Sequence, residues 1–314
     1  MAKKEKVKYK AKFHFSKKWA KAVILRVGIY LVVFDLAFVF LYPFITMIID
    51  ALKSEEDLIN STVTWIPTSI HWQNFQTAFK QLDYLKFFKN SAIVTVVATI
   101  GSVISDSFIG YGFARYRFKG KSILFAGVVL SMLVPVQVII FPLYMNFSSW
   151  KWIDTYLPLL VPAFLGFGLR GGFYIFLFRQ FMMGLPYEME EAAKIDGCGP
   201  LKTYLKIILP MSRSSILVCT VLSIVWRWND YFEPRIYVGK YDLAMLPSKL
   251  EPLYAALNKV SAEGDEAAAG SSVVVNQAMC MAATFLVILP LLIAYTFVQK
   301  KFMEGVERSG LTGM

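Results

Sequence analysis

Histidines, the side chains most often used for acid–base catalysis, are few and widely spaced in this chain. It contains two histidines, His14 and His71, and their separation makes a catalytic histidine or a metal cluster unexpected. Gly120-Lys121-Ser122 matches the end of a phosphate-binding loop, but that motif needs a glycine where the chain has Arg115. We therefore expect no active site for covalent chemistry, and no ATP hydrolysis by this chain alone.

The composition is that of an integral membrane protein. Of 314 residues, 56% are hydrophobic and 18% are charged, whereas a soluble domain has about 45–50% apolar and about 25% charged residues. The mean hydropathy is +0.51. Three cysteines cannot cross-link so long a chain, which excludes a disulfide-rich secreted scaffold. The formal net charge of +11 is then expected to report membrane topology rather than nucleic-acid binding.

Six apolar stretches are long enough to cross a hydrocarbon core about 30 Å thick as helices. They are continuously apolar, which favours helices over the alternating strands of a barrel. Four prolines within the third and fourth stretches (Pro135, Pro142, Pro158 and Pro162) predict kinks there. The predicted spans are Val23–Ile49, Ser91–Ala114, Ser122–Met145, Tyr156–Phe178, Ser214–Phe232 and Val273–Gln299.

Basic residues predict the orientation of these spans. One set of loops (1–26, 115–121, 179–213 and 300–308) carries 22 Lys or Arg, and the opposite set (50–89, 147–155 and 233–272) carries nine. Because the richer side is normally cytoplasmic, both termini are expected inside the cell. The first span follows a basic region, but its apolar run is too long for a signal peptide, so we expect an uncleaved helix.

This orientation divides the chain into three regions. Residues 1–22 form a basic cytoplasmic tail, whose lysines are expected to lie against anionic lipid. Residues 23–299 form the six-helix transmembrane domain. It includes a cytoplasmic loop at 182–213 and extracytoplasmic segments at 50–89 and 233–272. Residues 300–314 form a cytoplasmic C-terminal tail.

The cytoplasmic loop carries start and stop signals for two short helices. Pro186 and the acids after it begin the first helix, and Gly197 follows its last residue. The second is predicted to begin at Pro200 and to end before Pro210. The alternative is a helix lying on lipid, but interfacial helices favour Lys and Arg. The acidic residues that argue against this alternative are Glu188, Glu190, Glu191 and Asp196.

Three short motifs in this loop, Glu191-Ala192-Ala193, Asp196-Gly197 and Leu209-Pro210, resemble the EAA loop of permease subunits in bacterial ATP-binding-cassette importers. Cys198 stands where that family usually has alanine. The resemblance covers roughly residues 23–313. Flanking motifs are similar to the maltose-type, carbohydrate-uptake branch: Phe178-Arg179-Gln180-Phe181, Leu185-Pro186, Gly112-Phe113-Ala114-Arg115-Tyr116-Arg117-Phe118-Lys119-Gly120-Lys121, Trp228-Asn229-Asp230 and Phe297-Val298-Gln299-Lys300-Lys301-Phe302-Met303-Glu304-Gly305.

The resemblance implies an all-α integral membrane protein with six transmembrane helices, in the fold of type I importer permeases. It also implies a heterodimer with a second permease, two ATPase subunits that bind ATP and Mg²⁺, and an extracellular solute-binding protein. The first short helix would be the coupling helix, which docks on the ATPase. The residues that this role would involve are Glu190, Glu191, Ala192, Ala193, Asp196, Gly197, Leu209 and Pro210.

Charged residues inside the predicted spans need a reason, because each costs about 2.5–3.5 kcal/mol at mid-membrane. They are Asp35, Asp106, Arg170, Arg227 and Asp230. One interpretation is ion pairing, within this chain or with a partner subunit. The other is a polar, aromatic-lined sugar path, which with two buried arginines could suit an acidic sugar. The candidate path residues are Gln137, Arg170, Trp226, Arg227, Trp228, Asn229, Asp230 and Tyr231.

Two alternatives concern the function. A stand-alone secondary transporter would need its own coupling-ion site and often has inverted repeats, and neither is apparent in the sequence. An importer of the same class could instead carry amino acids, peptides or ions.

Overall fold

The computed structural model describes residues 17–168, 170–263 and 275–308, and all regular structure in these ranges is helical. The lysines of the predicted tail up to Lys12, His14, residues 264–274 and residues 309–314 lie outside the described residues, and so does the start of the predicted sixth span. The helices are α1 (Lys17–Ala51), α2 (Glu55–Ile59), α3 (Gln73–Gln81), α4 (Tyr84–Arg115), α5 (Lys121–Leu133), α6 (Val136–Ser149), α7 (Leu157–Phe164), α8 (Gly171–Met183), α9 (Glu188–Ile195), α10 (Pro200–Thr203), α11 (Leu209–Met211), α12 (Arg213–Asn229), α13 (Phe232–Tyr237), α14 (Leu250–Glu263) and α15 (Gln277–Arg308).

Three of these helices are long and apolar enough to cross a membrane unaided, namely the segments Lys21–Ala51, Tyr84–Arg115 and Gln277–Glu304. Two bent pairs raise the number of candidate spans to five: α5 with α6, bent by 105°, and α10–α11 with α12, bent by 77°. The described residues therefore hold three to five candidate spans. α1 and α15 also extend into the regions predicted as tails, since they begin at Lys17 and end at Arg308.

The predicted kinks in the third and fourth apolar stretches are confirmed. The third breaks at Val134, whose ψ of 115° is extended, as expected for a residue that precedes proline. The fourth is interrupted between α7 and α8, where Gly166 adopts a φ of +73°. Non-helical backbone at such depth is tolerated where protein or a cavity surrounds it.

The second short helix of the loop was predicted to end before Pro210, and this prediction is wrong. α10 begins at Pro200 as predicted, but a π-helix over Tyr204–Ile208 follows it, and α11 then contains Pro210. Proline is tolerated there because it lies in the first turn of α11, where its missing N–H group is not needed. Helical structure thus continues from the loop almost to the start of α12.

The centre of the fold is α4, which packs against α7, α8 and α12. Glycines allow the close approach: a Cβ atom on Gly110 would lie 2.7 Å from the Cβ atom of Phe178 in α8. α4 also buries hydroxyl groups, and Thr99 Oγ1 lies 2.9 Å from Ser223 Oγ of α12. α4 therefore links the broken helices on one side to α12 on the other. By contrast, residues 21–44 of α1 are exposed throughout.

Candidate functional site

Helix α9 is a short helix with a mostly exposed surface. Of its eight residues, only Glu190 and Ala193 are buried. It ends in a Schellman motif, in which Cys198 N donates to Ala193 O (2.8 Å) and Gly197 N donates to Lys194 O (3.0 Å). Gly197, the glycine that the sequence places after this helix, adopts a φ of +73°, so the chain makes a left-handed turn there.

The predicted coupling residues fall into three groups. Glu191, Ala192, Asp196 and Gly197 are exposed, so they are available to a partner. Glu190 and Ala193 face inward and are buried within the chain itself, so neither side chain is exposed for the docking role that the resemblance implied. Leu209 and Pro210 lie beyond the π-helix, half-buried and exposed respectively.

Contacts from α4 support the loop from within the chain. Arg115, the last residue of α4, forms an ion pair with Glu190 (Nε–Oε1, 2.7 Å) and donates a hydrogen bond from Nη2 to Leu185 O (2.7 Å). Farther along the loop, Tyr204 Oη lies 2.7 Å from Ser107 Oγ of α4. The sequence predictions gave Arg115 no part in the site, although it lies in the motif that follows the second predicted span.

A cavity of about 1080 Å³ lies beside the breaks in the third and fourth apolar stretches. Two of the predicted path residues, Gln137 and Arg170, line it. Arg170 adopts a φ of +62°, and its guanidinium carbon lies 4.7 Å from the centroid of the Trp226 ring. Three further polar residues that the sequence predictions missed, Ser131, Glu233 and Tyr237, also line the cavity, together with Phe147, Phe167 and Phe173.

The other predicted path residues are not among those that line this cavity. Trp226 packs against Phe173 with ring centroids 5.3 Å apart. Trp228 is buried and donates from Nε1 to Val287 O (2.9 Å). Their aromatic surface is therefore used in packing α12 within the chain.

Three polar path residues at the end of α12 serve its local structure or are exposed. Asn229 Nδ2 donates to Val225 O (2.9 Å). Asp230 Oδ1 accepts from the backbone N–H groups that follow it. Tyr231 is exposed. The structure thus does not bring the eight predicted path residues together around one space.

Within the described part of the chain, the charged residues of the predicted spans do not form the ion pairs that one interpretation expected, and Arg170, which was expected to be buried, is exposed. Among the described residues, no Asp or Glu oxygen lies within 4.0 Å of a side-chain nitrogen of Arg227 or Arg170. Arg227 instead donates from Nη2 to Ser102 Oγ of α4 (2.8 Å). Asp106 is fully buried, with Ser105 Oγ 3.4 Å from Oδ1, whereas Asp35 is exposed on α1.

Comparison with known proteins identifies the family to which this helical membrane protein belongs. Residues 106–307 match the model of a family described as the inner membrane component of binding-protein-dependent transport systems. The chain belongs to this family. It is therefore a multi-pass inner-membrane permease subunit of a transporter and not an enzyme, and its class of system implies ATPase and binding-protein partners. Membership also excludes the alternative of a stand-alone secondary transporter.

Relatives of this permease match it over most of their length. The arabinooligosaccharide transport permease AraQ of Halalkalibacterium halodurans is 26% identical over 281 residues, which is 88% of this chain and 93% of the relative. A probable permease for starch degradation products, AmyC of Thermoanaerobacterium thermosulfurigenes, is 28% identical over 271 residues, covering 86% and 91%. The sn-glycerol-3-phosphate permease UgpE of Pectobacterium atrosepticum is 27% identical, covering 86% and 91%.

A solved structure has the same fold. A chain in the crystal structure of a bacterial ABC transporter that imports the acidic polysaccharide alginate aligns with a TM-score of 0.72. The alignment covers 92% of this permease and 99% of that chain, at 20% sequence identity. At this identity the likeness establishes the permease fold.

Proposed function

We propose that this permease supplies half of the membrane path of an ATP-driven carbohydrate importer. The observation that carries the proposal is the cavity beside the helix breaks. Its lining combines the aromatic rings of Phe167, Phe173 and Tyr237 with the polar groups of Gln137 and Arg170. Aromatic faces stack on sugar rings, and a few placed polar groups bind hydroxyls, which is the usual composition of a ligand site.

The names of the relatives support a carbohydrate cargo. Two of them carry arabinooligosaccharides or starch degradation products, and a third carries sn-glycerol 3-phosphate. A small phosphorylated polyol is therefore the second candidate cargo. Arg170 at the cavity provides a positive charge for an acidic sugar or a phosphate, and Glu233 on the same lining opposes it.

The proposed assembly follows the family resemblance. This permease pairs with a second permease, two ATPase subunits bind ATP and Mg²⁺, and a solute-binding protein delivers cargo from outside. Six spans, of which the fourth is formed by α7 with α8, put both termini and the loop 182–213 in the cytoplasm. Segments 50–89 and 233–272 then lie outside, so the three-region division predicted from the sequence is part of this proposal.

Helix α9 is the proposed coupling helix, in the position of the EAA motif. The exposed Glu191 and Ala192 would face the ATPase, and Gly197 would set the turn that leads into α10. The inward Glu190 and Ala193 would hold the helix to its own chain. This assignment is supported by the short length of α9 and by its mostly exposed surface.

Uptake by the reconstituted complex tests the proposed cargo. Vesicles that contain both permeases and the ATPase would be supplied with the binding protein and with a labelled neutral oligosaccharide, acidic oligosaccharide, glycerol 3-phosphate or amino acid. We expect ATP-dependent uptake of at least one oligosaccharide, and a lower rate when Gln137 is replaced by Ala. Uptake of the amino acid with none of any oligosaccharide would refute the carbohydrate assignment, and uptake of glycerol 3-phosphate alone would select the second candidate.

A further inference from the structure

A buried ion pair joins the proposed coupling helix to the central helix of the fold. Arg115 is the last residue of α4, and its Nε atom lies 2.7 Å from Oε1 of Glu190 in α9. The two side chains are 6% and 5% exposed, so water screens their attraction little. Nothing in the EAA resemblance assigns a role to this pair.

The same arginine also holds the connection between α8 and α9. Its Nη2 atom donates to Leu185 O at 2.7 Å, and its guanidinium carbon lies 5.4 Å from the centroid of the Tyr187 ring. Because Nη2 binds the Leu185 carbonyl, the planar guanidinium holds its charge beside the Glu190 carboxylate, and the compact ammonium of lysine cannot reproduce this arrangement. One residue of α4 thus contacts three successive parts of the segment that leads into α9.

Helix α9 has little else to fasten it to the rest of the chain. Apart from Glu190, its only buried residue is Ala193, which offers a single methyl group for packing. The opposite end of the connection is α4, which packs against α7, α8 and α12. The Arg115–Glu190 contact is therefore the direct side-chain route by which a movement of α9 can reach α4. The alternative is transmission along the backbone.

We propose that the Arg115–Glu190 pair is a positioning link that carries the movement of α9 into α4. This inference rests on the proposed function of α9 as the coupling helix. Without the pair, the ATPase would still dock on the exposed face of α9, but its closure would move α9 without moving α4. ATP would be hydrolysed with little transport.

The test uses the complete complex reconstituted in vesicles, and it measures solute imported per ATP hydrolysed. The variants are Glu190→Gln, Arg115→Gln and the double variant, and the control is Arg117→Gln, which removes an exposed charge two residues away. We expect each single variant to lower the ratio roughly tenfold, because an unpaired buried charge disrupts the contact. The double variant should lose no more than either single variant, since all three changes break one link. Arg117→Gln should keep the wild-type ratio.

A purely structural role gives a different result. Transport and hydrolysis would then fall together with the amount of assembled complex, and the ratio would stay at its wild-type value, which would overturn the inference. Losses that multiply in the double variant would overturn it too. If the single variants do not assemble, Arg115→Lys takes their place, because lysine keeps the positive charge but not the fork of donors. An unchanged ratio of solute imported to ATP hydrolysed in Arg115→Lys counts equally against the link.

Failure of the underlying function is recognised separately. A cysteine at Met189, which is exposed on α9, should cross-link to the ATPase in an otherwise unaltered complex. Absence of that cross-link would remove the coupling assignment and the inference with it. A cross-link together with a wild-type transport ratio in the single variants would remove only the inference.

Discussion

Gly197 is the residue at which the proposed coupling loop is most sensitive to a small change. It follows α9 with a φ of +73°, and a Cβ atom built on it meets nothing within 4 Å. A side chain there therefore causes backbone strain but no clash within the chain. Any bulk would be felt only by a partner that packs against the turn.

The size of the effect follows from this geometry. Left-handed backbone costs an ordinary residue about 1–2 kcal/mol relative to glycine, whereas asparagine tolerates it better. Because α9 buries only two of its residues, we expect Gly197→Ala to lower the population of the docking conformation by at most roughly 5–30-fold. Gly197→Asn should lose less. Gly197→Asp, which adds both bulk and charge, should weaken docking or uncouple hydrolysis from uptake.

The assay is the affinity of the solubilised permease pair for its ATPase, with membrane insertion measured in parallel. The matched control is Gly199→Ala, because Gly199 has a φ of −68° and also has open space around its Cβ position. Equal affinity for Gly197→Ala and the control would refute the role of the left-handed turn. Equal losses for Gly197→Ala and Gly197→Asn would show instead that the ATPase surface excludes any side chain there.

Three further predictions follow from the described contacts. Gly110→Ala should destabilise the permease by about 1–3 kcal/mol through overpacking against α8, whereas Gly112→Ala should not, because the space around Gly112 is open. Thermal unfolding of the two variants in detergent compares their stabilities. Equal stability would contradict the packing argument. In intact cells, with the native cysteines replaced, an impermeant thiol reagent should label Asn258→Cys but not Lys202→Cys, and the opposite pattern would invert the proposed topology. Arg170→Gln should reduce uptake of acidic cargo about tenfold more than that of neutral cargo, and equal loss for both would assign Arg170 to packing.

The sequence predicted the start and end of α9 better than it predicted which polar residues line the cavity. The start and stop signals around α9 are local, since acids in the first turn and a glycine after the last helical residue act through adjacent backbone groups. The same local logic failed at Pro210, where the π-helix lets the chain remain helical up to the proline. The inward position of Glu190 could not be predicted from the local sequence, because it depends on contact with Arg115, a residue 75 positions earlier in the chain.

The prediction of the substrate path relied on residue type alone. This explains why only some of the predicted residues line the cavity. Trp228 is the kind of ring that stacks on a sugar, but it lies in an unbroken helix and donates to a carbonyl of α15. Arg227 likewise lies in α12 and binds Ser102 of α4. A continuous helix at the centre of a bundle turns part of its surface toward neighbouring helices, so its polar groups find partners there.

Gln137 and Arg170 reach the cavity because each lies next to a break in a helix. Gln137 follows the bend at Pro135, and Arg170 immediately precedes α8 with a positive φ. A break removes part of the helix and leaves space beside it, together with backbone polar groups that neighbouring protein groups or water must satisfy. Polar residues within two or three positions of a break are thus better candidates for a solute path than polar residues within an intact helix. By this criterion, the prolines of the third and fourth apolar stretches indicate where the cavity forms. The part of the cavity wall that Glu233 and Tyr237 form depends instead on the position of α13, the helix that contains both residues.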